Sequence, residues 1–375
     1  MNKIKRFIEC LLPVTACNLK CPYCYIIQRE KRNLEIPKLK YSPEIIGQAL
    51  RKERFGGVCY FSICGAGETL IPDYTIDIVK EILKQGHFVN ITTNGTLNNR
   101  FDEIIKLDKD LRKKLNISFS LHYLELIRLN KLEDFFKNVK KVHDNGISFV
   151  LQLNLCDEYI PYIDEIKKIC MKNVGALPQV AATRKEEDNL NKIDLLTNLS
   201  REEYIKEGEK FESPLFDFTM KNFNVKRKEF CYAGDWTCTL NLQTGKLNKC
   251  YASPLGQYIF DDIDKPIKFE AIGKNCNSKF CFNSSHFMSF GVIPEIDTPT
   301  YEQIRNRKEA NWYISDEIKE AFNSKLNESN KEYNKFKKLK VNIKNRTLVI
   351  LAKIKRNICR MKDPGSAITH LIAMV

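Results

Sequence analysis

Three cysteines near the start of the chain have spacing suited to metal chemistry. They form the run Cys17-x3-Cys21-x2-Cys24. Three thiolates within eight residues can each bind a different iron of one iron–sulfur cube, which leaves the fourth iron open to another ligand. A structural zinc site would need four protein ligands, and a disulfide would leave one cysteine over. The remaining alternative is three buried cysteines at the end of a strand. The spacing predicts an iron–sulfur cluster with one vacant coordination position.

A second group of cysteines lies in the C-terminal half of the chain. It comprises Cys231, Cys238, Cys250, Cys276 and Cys281. Five cysteines suffice for one four-ligand site and are too few for two, so either Cys238 or one of the last two is spare. Four cysteines would satisfy zinc as well as iron, and iron is favoured because of the three-cysteine loop upstream. Five scattered cysteines are expected to be small buried apolar groups: Cys10, Cys59, Cys156, Cys170 and Cys359.

Apolar runs alternate with amphipathic stretches up to about residue 183. The expected strands are 7–15, 58–64, 88–93, 116–122, 149–155 and 177–181, and the expected helices between them are 43–54, 74–85, 100–108, 131–145 and 159–172. Strands that alternate with helices favour a parallel sheet with crossover connections. The strands are nearly continuous apolar runs, as expected when helices cover both faces.

The loop Cys17–Cys24 follows the first expected strand and has Tyr23 before its last cysteine. This loop resembles the signature of the radical S-adenosylmethionine (SAM) superfamily. The resemblance covers about residues 7–183 and implies an α/β fold, a partial (β/α)6 TIM-like barrel. It also implies that SAM binds the open iron of a [4Fe–4S] cluster. One electron would then cleave SAM to a 5′-deoxyadenosyl radical that abstracts hydrogen from a substrate.

Polar residues at the ends of the next strands extend this resemblance. Cys64-Gly-Ala-Gly-Glu68-Thr69 is similar to the family's Gly-Gly-Glu motif, with Ala66 as a departure. The resemblance implies that Gly65 and Gly67 allow close approach of a ligand and that Glu68 accepts a hydrogen bond from the SAM ammonium group. It also implies that Asn94 and Ser120 contact the carboxylate or ribose of SAM.

Ordinary turn chemistry and glycine turns are the alternatives for these motifs. His122 is a candidate for a contact with substrate or SAM, although a structural hydrogen bond is favoured. Arg184 is a candidate for an acidic substrate group, with a surface arginine favoured instead.

The segment from Cys231 to Cys250 resembles the opening of the SPASM and twitch extensions, which carry auxiliary iron–sulfur clusters. Thirteen residues separate Cys231 from Gly245. Gly245 suits a hairpin turn, and it is the glycine of a Gly-x4-Cys pattern that ends at Cys250. A full SPASM domain continues with a dense four-cysteine run, whereas only Cys276-x4-Cys281 follows here. The resemblance therefore implies one auxiliary [4Fe–4S] cluster.

The positive charge of the chain is concentrated near its C-terminal end. The net charge is +14, and residues 331–362 contain twelve Lys and Arg and one acidic residue. Residues 347–361 have the pattern of a basic amphipathic helix, which suits an anionic membrane surface or an acidic partner; a solvated helix is the alternative. No nucleic acid is expected, because no binding motif accompanies the charge.

The sequence thus predicts four regions: a radical SAM core (1–183), a connecting segment (184–229), an auxiliary cluster domain (230–298) and a helical, basic region (299–375). No apolar stretch is long enough to span a membrane. The length of the chain and its alternating helix and strand patterns indicate a cytoplasmic location, with peripheral membrane association through the basic region as an option.

The expected activity is hydrogen abstraction from a carbohydrate, another small molecule or a peptide, with a reductant such as flavodoxin or ferredoxin. The short segment before Cys17 leaves no room for a leader-binding domain, which weakens the peptide option. The alternative is a non-enzymatic metal-binding or scaffold protein that attaches through its basic tail.

Overall fold

A computed structural model describes residues 3–185, 193–253, 255–274, 276, 278, 280, 281 and 283–362. Within these ranges the strands are β1 (Arg6–Leu12), β2 (Cys59–Gly65), β3 (Phe88–Thr93), β4 (Leu115–Ser120), β5 (Ser148–Leu155), β6 (Gln179–Ala182), β7 (Arg184–Lys185), β8 (Asp194–Leu195), β9 (Thr237–Asn241), β10 (Lys246–Asn248) and β11 (Gly256–Tyr258).

The described strands form one nine-stranded sheet and one small pair. The order in the large sheet is β11-β10-β9-β1-β2-β3-β4-β5-β6, and β7 pairs with β8. Strands β1 to β6 are all parallel neighbours, with Arg6 opposite Cys59 at the start of the first pair. Each of the six strands expected from the sequence is present, and the predicted α/β fold with a partial barrel is confirmed.

Helices cover the sheet between these strands. The α-helices are Tyr25–Gln28, Pro43–Ala49, Lys52–Phe55, Tyr74–Lys84, Asn98–Ile104, Lys109–Arg112, Tyr123–Arg128, Leu132–Asp144, Ile163–Val174, Arg201–Glu209, Pro214–Asn222, Tyr301–Arg305, Asp316–Asn323 and Lys335–Lys362. Short 3-10 helices lie at Asp157–Tyr162, Lys308–Ala310 and Leu326–Glu328, and a π-helix lies at Ser284–Met288.

The helix predicted over 43–54 is divided into two. Ser42 caps the first part, and Pro43 occupies its first turn, where its missing N–H costs no hydrogen bond. The second part begins after Arg51, whose backbone is extended. The Arg54 guanidinium donates to the carbonyl of Ala49 at 2.7 Å and so satisfies one carbonyl at the end of the first part.

The segment that follows residue 230 extends the same sheet. Strand β9 pairs in parallel with β1, and the hairpin of β9 and β10 turns at Gly245, whose φ of +69° suits a glycine. Arg6 of β1 forms an ion pair of 3.2 Å with Asp235, and the rings of Tyr232 and Trp236 stack with centroids 3.8 Å apart. One hydrophobic core therefore continues across residue 230. The division into four regions stays a prediction.

Within the described part of the chain, none of the helices combines the length and the apolar character needed to cross a bilayer.

Candidate metal centres and active-site cavity

The three N-terminal cysteines lie in the loop that leaves the carboxyl end of β1. Burial raises the pKa of the Cys21 thiol, and the neighbouring thiols of Cys17 and Cys24 raise it further. Two groups donate to the sulfur of Cys17: the backbone N–H of Leu19 at 3.5 Å and the side-chain amide of Asn94 at 3.7 Å. The loop therefore gathers three thiols and supplies N–H donors to one sulfur, an environment that tunes iron–sulfur ligands.

The turn after β2 holds the cysteine loop through its backbone. The N–H of Gly67 donates to the carbonyl of Val14 at 2.6 Å, and the N–H of Glu68 donates to that of Ala16 at 2.9 Å. A Cβ atom on Gly67 would lie 2.1 Å from the oxygen of Ala16. Only glycine fits this approach, so Gly67 sets the position of the loop that carries the cysteines.

Glu68 joins the ends of β2 and β3. Its side chain is buried, and its oxygens accept hydrogen bonds from the Thr93 hydroxyl at 2.7 Å, the Leu70 N–H at 3.0 Å and the Asn94 N–H at 2.7 Å. Burial raises the pKa of Glu68, and these donors oppose the rise. Glu68 is thus a structural link in this fold, and its predicted contact with the SAM ammonium group stays a prediction.

Asn94 ties the end of β3 to the cysteine loop. Its amide donates to Asn18 at 2.7 Å, and its carbonyl oxygen accepts from the Thr96 hydroxyl at 2.7 Å. Gly65 lies at the end of β2, and Ser120 is half-buried at the end of β4. The residues expected to bind SAM are therefore placed along the carboxyl edge of β2, β3 and β4. Their contact with SAM stays a prediction.

His122 belongs to a buried hydrogen-bonded group. The hydroxyl of Tyr23 lies 2.7 Å from Nδ1 of His122 and 3.0 Å from the hydroxyl of Tyr159. Burial lowers the pKa of His122 to about 4, so the ring is neutral near pH 7. This placement fits the favoured structural role, in which His122 fixes the tyrosine that precedes Cys24.

A cavity of about 300 Å³ opens at the carboxyl ends of β5 and β6. Its lining includes Tyr23 and Tyr25, which flank Cys24, and also Cys281 and the segment 283–286. Its other walls are mostly uncharged, and they include Gln152, Asn154, Thr183, Arg184, Thr219 and Asn224. The cavity therefore adjoins both groups of cysteines.

Four of the five C-terminal cysteines come together. Burial raises the pKa of Cys231, and the thiols of Cys250, Cys281 and Cys276 raise it further. Cys281 and Cys276 also raise the pKa of Cys250, and Cys276 raises the pKa of Cys281. An antiparallel bridge between Cys231 and Gly273 fixes the backbone beside this group.

Cys238 has a different environment. It lies in β9 with a buried thiol, opposite Ile8 of β1. Burial raises its pKa to about 12. The side chains that also shift this pKa are Arg6, Asp235, Cys59 and, with the smallest effect, Lys249. The structure therefore groups Cys231, Cys250, Cys276 and Cys281 and leaves Cys238 in the core.

Both groups of thiols fit an iron–sulfur cube by their chemistry. Burial raises the pKa of most of these thiols, and a bound cation would offset that penalty with release of protons; among them are Cys17, Cys21, Cys231, Cys250 and Cys281. Among the residues that the structure describes, no three His, Cys, Asp or Glu side chains converge on one point suited to a single metal ion. In a cube each cysteine binds a different iron, so the thiols need not converge on one point.

Sequence reasoning missed Glu9, a buried carboxyl group in β1. It accepts a hydrogen bond from the Asn283 amide at 3.1 Å and longer contacts from Ser62 at 3.5 Å and Cys64 at 3.6 Å. Burial raises its pKa to about 7. Because Asn283 lines the cavity, Glu9 is one side chain away from it. The available signal was a single acidic residue within an apolar strand.

Replacing Gly67 by alanine is expected to displace the cysteine loop, because the new methyl group would overlap the Ala16 carbonyl. Anaerobic reconstitution should then yield about four fewer irons per chain. The control is Gly146→Ala, where no atom lies within 4 Å and only the backbone is strained; its iron content should be unchanged. Full iron loading of Gly67→Ala would contradict this account of the loop.

The Glu9→Gln variant is expected to change how stability depends on pH. Because the folded-state pKa of Glu9 lies above its usual value of 4.5, folding favours the protonated acid. Its unfolding free energy should therefore fall as pH rises from 4.5 to 7. The wild-type protein should lose about 3 kcal/mol relative to Glu9→Gln over this range.

Urea unfolding of the metal-free, reduced protein at several pH values measures this difference. The control is Glu44→Gln, which removes an exposed carboxyl whose pKa is lowered by its hydrogen bond with Ser42. That variant should show a small trend of the opposite sign. A difference for Glu9→Gln that stays constant with pH would refute the raised pKa.

Comparison with known proteins supports this account of the N-terminal part. Residues 11–166 match the model of the radical SAM superfamily. No curated protein sequence matches the chain.

Among solved structures, Streptococcus suis SuiB bound to S-adenosylmethionine is similar at 17% identity, with 70% of this chain and 66% of that chain covered and a TM-score of 0.49. The anSMEcpe protein with bound AdoMet is similar at 14% identity, with 68% of this chain and 76% of that chain covered and a TM-score of 0.44. The chain spans slightly less than two thirds of the length of SuiB. These similarities are distant. The match to the superfamily model rests on the sequence of residues 11–166.

Proposed function

We propose that the protein is a radical SAM enzyme whose catalytic [4Fe–4S] cluster is held by Cys17, Cys21 and Cys24. The gathering of these three thiols at the carboxyl edge of the barrel, inside the domain 11–166, carries the proposal. When bound, the cluster and SAM would supply a 5′-deoxyadenosyl radical that abstracts a hydrogen atom. The protein's own residues would bind SAM, orient the substrate and exclude water.

SAM is proposed to lie along the ends of β2, β3 and β4. The turn after β2 packs against the cysteine loop, so a ligand of the open iron would extend over Gly65 and Gly67. Asn94 and Ser120 would contribute polar groups from the next two strands. Because both oxygens of Glu68 already accept hydrogen bonds, a SAM ammonium group would use their remaining lone pairs.

The cavity beside Tyr23 and Tyr25 is the proposed substrate site. Its volume of about 300 Å³ lies at the lower end of the range for small-molecule pockets. Amide groups of Gln152, Asn154 and Asn283 and hydroxyl groups of Thr183, Thr219 and Ser284 dominate its polar lining. This lining suits a carbohydrate or another hydroxyl-rich small molecule. A peptide substrate would place only one of its side chains in the cavity.

Cys231, Cys250, Cys276 and Cys281 are proposed to hold one auxiliary [4Fe–4S] cluster. The effects of the neighbouring thiols on the pKa of Cys231 support this set of four ligands. Cys238 has other neighbours, which argues against it as a cluster ligand. Since Cys281 lines the cavity, this cluster would stand beside the substrate. At that position it can bind the substrate or accept an electron from it.

A reductant such as flavodoxin or ferredoxin is proposed to approach beside Cys21. A shallow depression there is lined by Lys20, Ile27, Glu30 and Arg32. The two cationic side chains would favour an acidic electron donor.

The non-enzymatic scaffold is the competing function, and Cys17→Ala separates the two. The anaerobically reconstituted wild-type protein with SAM and dithionite should release 5′-deoxyadenosine, and Cys17→Ala should reduce this release to background. The control is Cys10→Ala, which removes a fully buried thiol from β1 outside the cluster and should retain the release. A wild-type protein that carries iron yet releases no 5′-deoxyadenosine would support the scaffold.

Iron and acid-labile sulfide analysis tests the auxiliary cluster separately. The wild-type protein should contain about eight irons, and the double variant Cys276→Ala/Cys281→Ala about four. Cys238→Ala is the matched control and should keep about eight. If Cys238→Ala loses half of the iron, Cys238 is a ligand. If the wild-type protein contains only about four irons, no auxiliary cluster is present.

A further inference from the structure

The C-terminal helix Lys335–Lys362 is fixed to the body of the protein by one face. Val341 is buried, and the Asn345 amide donates to the carbonyl oxygen of Ala271 at 2.8 Å. Asn342 accepts from the backbone N–H of Lys274 at 2.9 Å. Lys344 forms an ion pair of 2.8 Å with Glu270 at the edge of this contact. These contacts fix which face of the helix points outward.

The opposite face carries a stripe of large apolar side chains. Their exposed fractions are 76% for Phe336, 57% for Leu339, 60% for Ile343, 48% for Ile350 and 54% for Leu351. At 3.6 residues per turn they occupy a sector about 120° wide, on the side away from Val341 and Asn345. Single exposed apolar residues are ordinary, whereas a continuous stripe marks an interaction site.

Basic side chains border the stripe on both sides. By helical position, Lys335 and Arg346 lie along one margin and Lys344 lies along the other, while Lys340 lies within the sector between Phe336 and Leu351. Residues 331–362 contain twelve Lys and Arg and one acidic residue. Long basic side chains can lay their methylene stems on an apolar phase and extend their charges to its polar boundary.

These features distinguish among possible partners. A second copy of the helix would cover the stripe but would bring two strongly cationic margins together, which is unfavourable. Nucleic acid would neutralise the charge but would leave the apolar stripe in water. An anionic bilayer surface offers an apolar phase beneath a layer of negative headgroups, so it satisfies the stripe and both margins.

We propose that the helix Lys335–Lys362 lies in the plane of an anionic membrane surface, with Phe336, Leu339, Ile343 and Ile350 inserted between the headgroups and the basic residues on the phosphates. The opposite face stays docked on the body through Val341 and Asn345. Binding of this kind attaches the protein to one leaflet without crossing the bilayer. It is independent of the proposed radical chemistry.

Co-sedimentation of the full chain with vesicles tests this proposal. Vesicles of phosphatidylcholine are compared with vesicles that also contain phosphatidylglycerol. The wild-type protein should bind the second kind at least about tenfold more strongly, and added salt should weaken the binding. The variant Phe336→Ser/Ile343→Ser should bind about a hundredfold more weakly, since each side chain contributes about tenfold.

The matched control is Ile127→Ser/Met171→Ser, which makes the same chemical change at two exposed apolar residues elsewhere; it should bind as the wild type does. Circular dichroism should show the same helix content in all three proteins. The proposal is overturned if the wild type ignores anionic vesicles, or if the two double variants bind equally. Self-association in solution that Phe336→Ser/Ile343→Ser abolishes, without vesicle binding, would assign the stripe to a second copy instead.

Discussion

The pairing of β1 with a parallel strand on each side is the constraint on which both groups of cysteines depend. Arg6–Leu12 lies between β2 and β9, and it ends at the loop that carries Cys17, Cys21 and Cys24. The parallel direction of β1 and β2 places this loop and the turn at Gly67 on one edge of the sheet. The hairpin that begins with β9 leads to Cys250. A shift in the register of β1 would therefore displace both sites at once.

Two buried carboxyl groups show how similar burial produces different chemistry. Glu68 accepts two backbone N–H groups and one hydroxyl, all within 3.0 Å, and so connects β2 to β3. Glu9 has one amide donor at 3.1 Å and two longer contacts. Burial raises the pKa of each, but Glu9 has weaker compensation and titrates at about 7. Glu68 therefore suits a fixed structural role, whereas burial favours the protonated form of Glu9.

Local patterns in the sequence were sufficient to predict much of this architecture. They were not sufficient to predict its long-range contacts. The six barrel strands and the turn at Gly245 follow from apolar runs and glycine chemistry within a few residues. The helix Tyr123–Arg128 was not predicted, because it is short and follows β4 directly. The pairing of β9 with β1 joins residues about 230 positions apart, which no local pattern encodes. For the same reason, the sequence left Cys238 among the candidate ligands.

The wide separation of the partners of β1 also affects how the protein is made. Besides β9, residues near position 330 hold the start of β1: Asn330 donates to the carbonyl of Lys5 at 2.8 Å, and Lys5 donates to that of Ser329 at 3.0 Å. At ordinary rates of translation, β1 would wait roughly 10 to 50 seconds for β9 to leave the ribosome. Until then the edge of β1 is open and the nascent chain needs protection from aggregation. Folding of the strand that leads into the cysteine loop is thereby coupled to synthesis of residues as distant as Asn330.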